Sequence, residues 1–264
     1  MSEARNINDI KIALYGCGAM GRALLDGIVT RNADITVIDL PEVLAKLKSQ
    51  YSNPNIKWGG IPEPNSIVIL AVKPYQLDSL LATNDFSNQL VVSIIAGRNL
   101  KYFDSKGIPN SVRIMTNLSC KFHAAPIILC PSSKVLSQPV KMEQLTYLLS
   151  AVGEVIVLEE EAKFNPVTAI IGSAPAFALE MIEGLAIGGV QMGLTRPIAL
   201  KLATYAILGA GKLLLEEKVQ PSILRDQICT PGGCTIAGIE SLEESAFRYA
   251  LIKALKSTVQ ALPQ

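Results

Sequence analysis

Histidine, tryptophan and aromatic side chains in general are scarce in this chain of 264 residues: one His, one Trp, and 5% Phe, Trp and Tyr together. The single histidine, His123, excludes the His-rich ligand sets of catalytic zinc sites. The five cysteines (Cys17, Cys120, Cys130, Cys229, Cys234) form no C-x-x-C pair that would replace them. No metal centre is expected. An odd, scattered set of thiols fits a reducing compartment better than a disulfide framework. Net charge is almost absent, at +1, so no nucleic acid is expected as a partner. The opening residues, MSEARNINDIKIALYG, hold no apolar run of signal-peptide length, and no later stretch is apolar over a bilayer's width clear of Gly, Pro and charge. Repeats and low-complexity tracts are missing too. The absences point to a cytoplasmic protein without a membrane span.

What is present is a large apolar fraction, 49% hydrophobic against 18% charged residues, enough to bury a substantial core. The first part of the chain alternates short β-branched runs (IKIALYG, ITVID, SIVILAVK, LVVSIIAG, VRIMTN, PIILC) with helical stretches such as AMGRALLDGIVTR and PEVLAKLKSQ. Runs without polar alternation suit strands buried on both faces, as in a parallel sheet with crossover helices. After EVIVLEEE the strand-like runs stop and three long helical segments follow, which marks a boundary around Leu158 to Glu161. The division expected is a dinucleotide-binding domain over residues 1–159 and a helical domain over 160–264. AIGGVQMG and ILGAGKLL place glycine repeatedly inside helices, where each costs about 1 kcal/mol relative to alanine. Close helix packing within one subunit and a helical dimer interface both account for it.

LYGCGAMGRALLDGI carries Gly16, Gly18 and Gly21, a G-x-G-x-x-G pattern that follows an expected strand and opens a helix. Gly16 permits the tight turn, Gly18 lets a pyrophosphate approach the backbone, and Gly21 lets helix and strand lie close. The amides of Ala19 and Met20 then begin a helix whose positive end suits phosphate. Asp39 ends the second strand, where a carboxylate accepts from a ribose diol and repels a 2′-phosphate. No arginine follows it, which favours NADH over NADPH. A cap for the helix starting at Pro41 is the other use for Asp39.

TPGGCT, from Thr230 to Thr235, sets a flexible, polar turn before a late helix. Successive N–H groups of such a turn converge into an anion-binding concavity, and the dipole of the following helix favours negative charge. A small carboxylate fits there without arginine, although a plain threonine cap after a Pro-Gly turn would look the same.

DQICTPGGCTIAGIESLEE resembles the signature of the pyrroline-5-carboxylate reductase family. The likeness extends through YGCGAMGRALLDG, LAVKPYQ, SIIAG, IIGSAPAFALEMIEGLAIGGVQMGL and LGAGKLLLEE. The resemblance implies an α/β fold: an N-terminal Rossmann-type, doubly wound, mainly parallel sheet, then an all-helical domain interlocked with a partner's in a homodimer, often within a larger ring. It implies reduction of the imine of 1-pyrroline-5-carboxylate to L-proline with NADH or NADPH. By position, Thr230, Gly232, Gly233 and Cys234 would surround the substrate carboxylate, and Thr235 would bond the ring nitrogen as the catalytic residue. Ala71, Val72 and Lys73 would line the cofactor, with Ala96, Asn117 and Gln227 toward its nicotinamide end. The chain departs from the family pattern in RIMTNLSCKFHAAP, with Thr116 and Ser119 at proline positions, and in GSAPA for GSGPA. Two other readings stand beside this one: a β-hydroxyacid dehydrogenase using Lys163, and a dinucleotide-binding relative without turnover.

Overall fold

The computed structural model describes residues 10–262 and divides into two compact units, one running to Gly172 and one spanning Ser173–Ala261. The first unit is built on strands β1 (Ile10–Tyr15), β2 (Ala33–Ile38), β3 (Ile56–Trp58), β4 (Ile67–Leu70), β5 (Leu90–Ser93), β6 (Ser111–Met115), β7 (Ala125–Pro131) and β8 (Gly153–Val157). Helices α1 (Ala19–Ile28), α2 (Pro41–Lys48), α3 (Pro74–Thr83), α4 (Leu100–Ser105), α5 (Ser133–Leu136), α6 (Pro139–Leu149) and α7 (Phe164–Thr168) connect or follow them.

All eight strands form one sheet in the order β3-β2-β1-β4-β5-β6-β7-β8. β1 pairs in parallel with both β2 and β4, so the strand order reverses between β1 and β4. Both faces are covered. Ile10, Ile12 and Leu14 of β1 and Ile67 and Ile69 of β4 pack with Leu24, Leu25 and Ile28 of α1 and Leu148 of α6. On the other face Ala13, Tyr15, Val68 and Leu70 pack with Leu77 of α3 and Phe103 of α4. This two-sided burial is why the strand sequences show no polar alternation.

The mainly parallel sheet agrees with the sequence expectation, and its one exception has a simple cause. β6 and β7 pair antiparallel because only residues 116–124 join them, too few for a crossover helix. The chain from β7 to β8 carries α5 and α6, and that pair is parallel. The sequence runs did not mark β3, which is three residues long, as a strand.

The second unit is helical: α8 (Ala174–Gln191), α9 (Arg196–Glu217), α10 (Pro221–Ile228), α11 (Cys234–Glu244) and α12 (Phe247–Ala261). Prolines sit in the first turns of α8, α9 and α10, where the missing N–H has no intrahelical partner to lose. A short loop turns α8 back on α9, with Gly193 at φ +93°. The buried cluster between them consists of Ala186, Ala199 and Ala203, with Ile182 against it. Gly189 serves that contact, since a Cβ there would lie 3.1 Å from the Ala199 Cβ. Gly184, Gly188, Gly209 and Gly211 face nothing within 4 Å, so packing within the described chain does not use them.

Large apolar side chains cover the rest of these helices from outside. Leu179, Leu208 and Leu215 are 64%, 60% and 77% exposed, and neither α11 nor α12 buries a residue. By length and composition two helical segments, Glu161–Gln191 and Arg196–Glu217, with mean hydropathy 1.5 and 1.6, qualify as membrane spans. The sequence reading had expected none. Helices rich in small residues and stripped of apolar neighbours in this way also suit burial against a second subunit.

In the sheet, the start of β8 lies against β7 so closely that a Cβ at Gly153 would sit 1.9 Å from the Ala125 carbonyl oxygen. Gly153→Ala should force the strands apart and lower stability by about 1–3 kcal/mol, read as a reduced midpoint in urea. Gly60→Ala separates the two effects, because that glycine has open space around it and should register only the strain of its φ of +94°.

Candidate functional site

The first set of candidate residues gathers where the strand order reverses, the place at which open α/β sheets bind ligands. β1 ends at Tyr15 and the loop to α1 begins with Gly16 at φ +88°, a conformation that side chains other than glycine rarely adopt. Space demands glycine as well: a Cβ on Gly16 would lie 2.8 Å from the main chain of Ala71 and Val72, which follow β4. Gly21 lies under the same turn, its Cβ position 2.2 Å from the Gly16 carbonyl oxygen. Gly18 differs. It is the N-cap of α1, has no side-chain cap, and faces nothing within 4 Å. The first helical bond runs from Arg22 N to Gly18 O at 2.9 Å, and the amides of Ala19, Met20 and Gly21 before it have no intrahelical acceptor. An open concavity walled by amides at a positive helix end fits a dinucleotide pyrophosphate.

Asp39 stands beside this loop and ties it down. Its carboxylate accepts from Cys17 N at 2.5 Å and from Leu40 N at 2.7 Å. It does not cap α2, whose N-cap is Leu40. A carboxylate has about four acceptor positions, so two remain for a ribose diol. Burial, reinforced by the charge of Asp39, pushes the Cys17 thiol up to about 12, so it stays protonated and inert. Lys73 is exposed and forms the N-cap of α3, its main-chain N–H donating to Gln76 at 3.0 Å.

A cavity of about 900 Å³ opens at the ends of β5 and β6, lined among others by Met20, Ala96, Gly97, Arg113, Thr116 and Glu161. It brings Ala96 and Met20 to one wall. Asn117 is committed elsewhere: its amide donates to the Ile171 carbonyl at 2.9 Å and accepts from Ser119 N at 2.9 Å. The sequence reading missed the pair that crosses this cavity's wall. Arg113, with a side chain only 10% exposed, donates to Glu161 at 2.7 Å and lies 3.8 Å over the Phe164 ring. Glu161 belongs to a run of acids that reads as a solvated helix start, and no local pattern links it to Arg113. Breaking such a largely buried pair by removing one partner costs about 3–5 kcal/mol.

In the helical unit, Thr230–Pro231–Gly232–Gly233 forms a tight turn, with Gly233 N donating to Thr230 O at 3.0 Å and Gly232 at φ +69°. The Gly233 amide is therefore already used, which removes it from the set of anion donors expected from the sequence. Thr230 Oγ1 presses on this glycine, 2.3 Å from where a Cβ would be. Gly233 is the N-cap of α11 and supplies no cap side chain, so the first-turn amides, starting with Cys234 and Thr235, have no intrahelical partner. Gln227 lies exposed in the last turn of α10.

The single histidine and the lysine of the dehydrogenase reading are both engaged elsewhere. His123, at φ 56°, has Nδ1 2.6 Å from the Ala151 carbonyl; a carbonyl only accepts, so Nδ1 carries a proton and anchors the loop. Lys163 pairs with Glu160 at 2.5 Å, both more than half exposed. Among the described residues no cluster of His, Cys, Asp and Glu is arranged to hold a metal ion.

Gly16→Ala tests the loop: φ and the contact with Ala71 both forbid it. Dinucleotide affinity, followed by nicotinamide fluorescence, should fall at least about tenfold, the equivalent of 1.4 kcal/mol, while Gly107→Ala leaves it unchanged.

A family model described as pyrroline-5-carboxylate reductase dimerisation matches residues 161–263, and one described as NADP oxidoreductase, coenzyme F420-dependent, matches residues 11–97. The chain is 35% identical to a pyrroline-5-carboxylate reductase of Methanosarcina acetivorans, over 93% of this chain and 94% of the relative. It is 33% identical to one of Synechocystis, over 94% and 95%. Among solved structures, a pyrroline-5-carboxylate reductase of Coxiella burnetii superposes with a TM-score of 0.84 at 26% identity, covering 95% of this chain and 96% of that one. With a glycine loop at the sheet's reversal point, a helical segment built to meet a second copy, and relatives matching nearly end to end, the chain belongs to the pyrroline-5-carboxylate reductase family.

Proposed function

We propose that this protein reduces the imine of 1-pyrroline-5-carboxylate to L-proline, using a reduced nicotinamide dinucleotide seated on the glycine loop. The observation that carries the reading is the entrance of α11: a helix with glycine as N-cap, no capping side chain, and Thr235 in its first turn. That entrance offers amides to a small carboxylate and a hydroxyl one residue away.

When bound, the reduced nicotinamide supplies a hydride from C4 to the imine carbon. The residues of the chain do the rest by positioning. The amides of Cys234 and Thr235 hold the substrate carboxylate, assisted by Thr230 and by the Gly232 main chain, while the Gly233 amide keeps the turn closed. The Thr235 hydroxyl orients the ring nitrogen. It is too weak an acid to protonate that nitrogen alone, so the substrate reacts as an iminium protonated from solvent. Ala71, Val72 and Lys73 line the cofactor, with Ala96 toward its nicotinamide end, while the Asn117 side chain is spent on Ile171 and Ser119.

NADH is the favoured reductant, because Asp39 would repel a 2′-phosphate. A structural neighbour from Plasmodium falciparum, 24% identical, has NADP bound. The helical segment associates with that of a second copy in a homodimer. We take residues 1–159 as the cofactor domain and 160–264 as the substrate and dimerisation domain, in a cytoplasmic enzyme without membrane or nucleic-acid partners.

Purified protein assayed with 1-pyrroline-5-carboxylate and with a panel of 3-hydroxy acids, each with NADH or NADPH in turn, tests the activity. Oxidation of hydroxy acids alone would favour a β-hydroxyacid dehydrogenase, and cofactor binding without imine reduction would mean a relative that has lost turnover. Thr235→Ala should lower kcat about a hundredfold, the scale for losing one positioned donor, with NADH affinity within about twofold of normal. Equal loss of both defeats the assigned role. Asp39→Asn keeps an oxygen on the loop amides but removes the charge. The ratio of kcat/KM for NADPH to that for NADH should then rise about tenfold, equivalent to 1.4 kcal/mol of lost repulsion.

A further inference from the structure

The segment that carries Ala96 leaves β5 and reaches α4 with few ties. Ile94 N bonds to Leu70 O at 3.1 Å and Ile95 N to Ser93 Oγ at 3.2 Å. Ala96, Gly97 and Asn99 then run exposed, with Gly97 at φ +73°. The next main-chain N–H held by a partner distant in sequence is that of Leu100, which donates to Glu161 Oε1 at 2.8 Å. The same oxygen receives Arg113 Nη1 at 2.7 Å. Arg113 in turn is fixed in the middle of β6, paired to Ser93 of β5 and Cys130 of β7, and stacked on Phe164. Glu161 is the one carboxylate among the described residues lining the cavity.

We propose that Glu161 is a positioning residue for hydride transfer: through Leu100 N–H it fixes the far end of the Ala96–Asn99 segment, and Arg113 fixes Glu161. Asn99 caps α4 at Tyr102 N and Arg98 reaches Asp78 of α3 at 3.7 Å, so both hold the segment to its neighbouring helices, and Glu161 is the acceptor that ties its main chain to residues beyond them. A charged acceptor shared by an arginine and an amide is stronger than a neutral one and is already aimed, so the segment pays no ordering cost when the nicotinamide arrives. Small displacements of a surface that flanks the reacting carbon cost turnover more than affinity, because affinity comes from the whole dinucleotide and turnover from the alignment of one atom. The inference rests on the reading that Ala96 faces the nicotinamide.

The geometry allows a variant that deletes only the N–H. Leu100 is the first residue of α4, after Asn99 at φ −88° and ψ 172°, which is the extended conformation required before proline, at the helix position that proline tolerates best. Leu100→Pro removes the donor and leaves the Arg113–Glu161 pair intact, and Leu100→Ala keeps the donor while trimming the same side chain. Glu161→Ala removes the acceptor, and Glu161→Gln restores a neutral one.

Steady-state kinetics of the full-length enzyme, NADH titration by fluorescence and hydrogen exchange over residues 94–105 are measured for all four and for the double variant Glu161→Ala/Leu100→Pro. The expected result is a kcat lowered about tenfold in Glu161→Ala and in Leu100→Pro, with NADH affinity within about twofold. Leu100→Ala should be near normal and Glu161→Gln at least half recovered. The double variant should be no worse than the poorer single one, since both remove the same bond. Exchange over residues 94–105 accelerates in the same variants. The proposal is overturned if Leu100→Pro matches Leu100→Ala in both kcat and exchange. It is also overturned if Glu161→Ala loses activity and cofactor affinity together with Gln no better than Ala, or if the double variant loses the product of both. Should the unaltered protein reduce no imine at all, the functional reading fails separately, and the exchange comparison still decides whether the tie exists.

Discussion

Helix N-termini left uncapped by any side chain are the interaction on which both parts of this protein depend. α1 and α11 each begin after a glycine N-cap, Gly18 and Gly233, and neither has a side-chain oxygen bonded into its first turn. By contrast Asn99 accepts from Tyr102 N and Ser132 from Val135 N, while α2, α6, α8, α9 and α10, also without a bonded cap, place proline in the first turn. Glycine at an N-cap in place of serine, threonine or aspartate costs only a few tenths of a kcal/mol. Among the described helices only α1 and α11 start from a glycine N-cap, and these are the two mouths where we propose that anions bind, a pyrophosphate and a carboxylate.

The glycines around these mouths act in different ways. Gly16 and Gly21 are needed because neighbouring backbone comes within contact of where a Cβ would stand, and Gly16 also because of its positive φ. Gly18 has room, and its value lies in the space that stays open in front of the amides. Gly233 is held by the threonine that starts its turn. Chemistry that relies on a carried hydride asks little more of a protein than such placement, and the lone histidine, occupied in fastening a loop, takes no part in it.

Local signals in the sequence reached a good part of this architecture. Buried β-branched runs marked β1, β2 and β4–β7, first-turn prolines agreed with the helix starts, and the glycine pattern located the reversal point of the sheet. What local reading could not reach is instructive. The antiparallel turn into β7 depends on the length of the 116–124 connection, which a strand-by-strand reading does not weigh. Asp39 looked free for a ribose or a cap, yet half its acceptor capacity is held by Cys17 N and Leu40 N, one of them 22 residues away. Glu161 looked like one of three solvated acids, and its partner Arg113 sits 48 residues earlier inside a run that reads as plain apolar strand. Local patterns report periodicity and turn chemistry. Long-range electrostatic pairing leaves no periodic trace.

The alanine contact between α8 and α9 has a consequence for how the molecule comes into being. Three methyl groups and one isoleucine flank are too little apolar burial to offset the ordering entropy of nearly ninety residues, which runs to about 1 kcal/mol or more for each. The C-terminal portion thus gains little stability from its own packing, and self-association has correspondingly more to supply. Protomer concentration then enters the folding equilibrium itself.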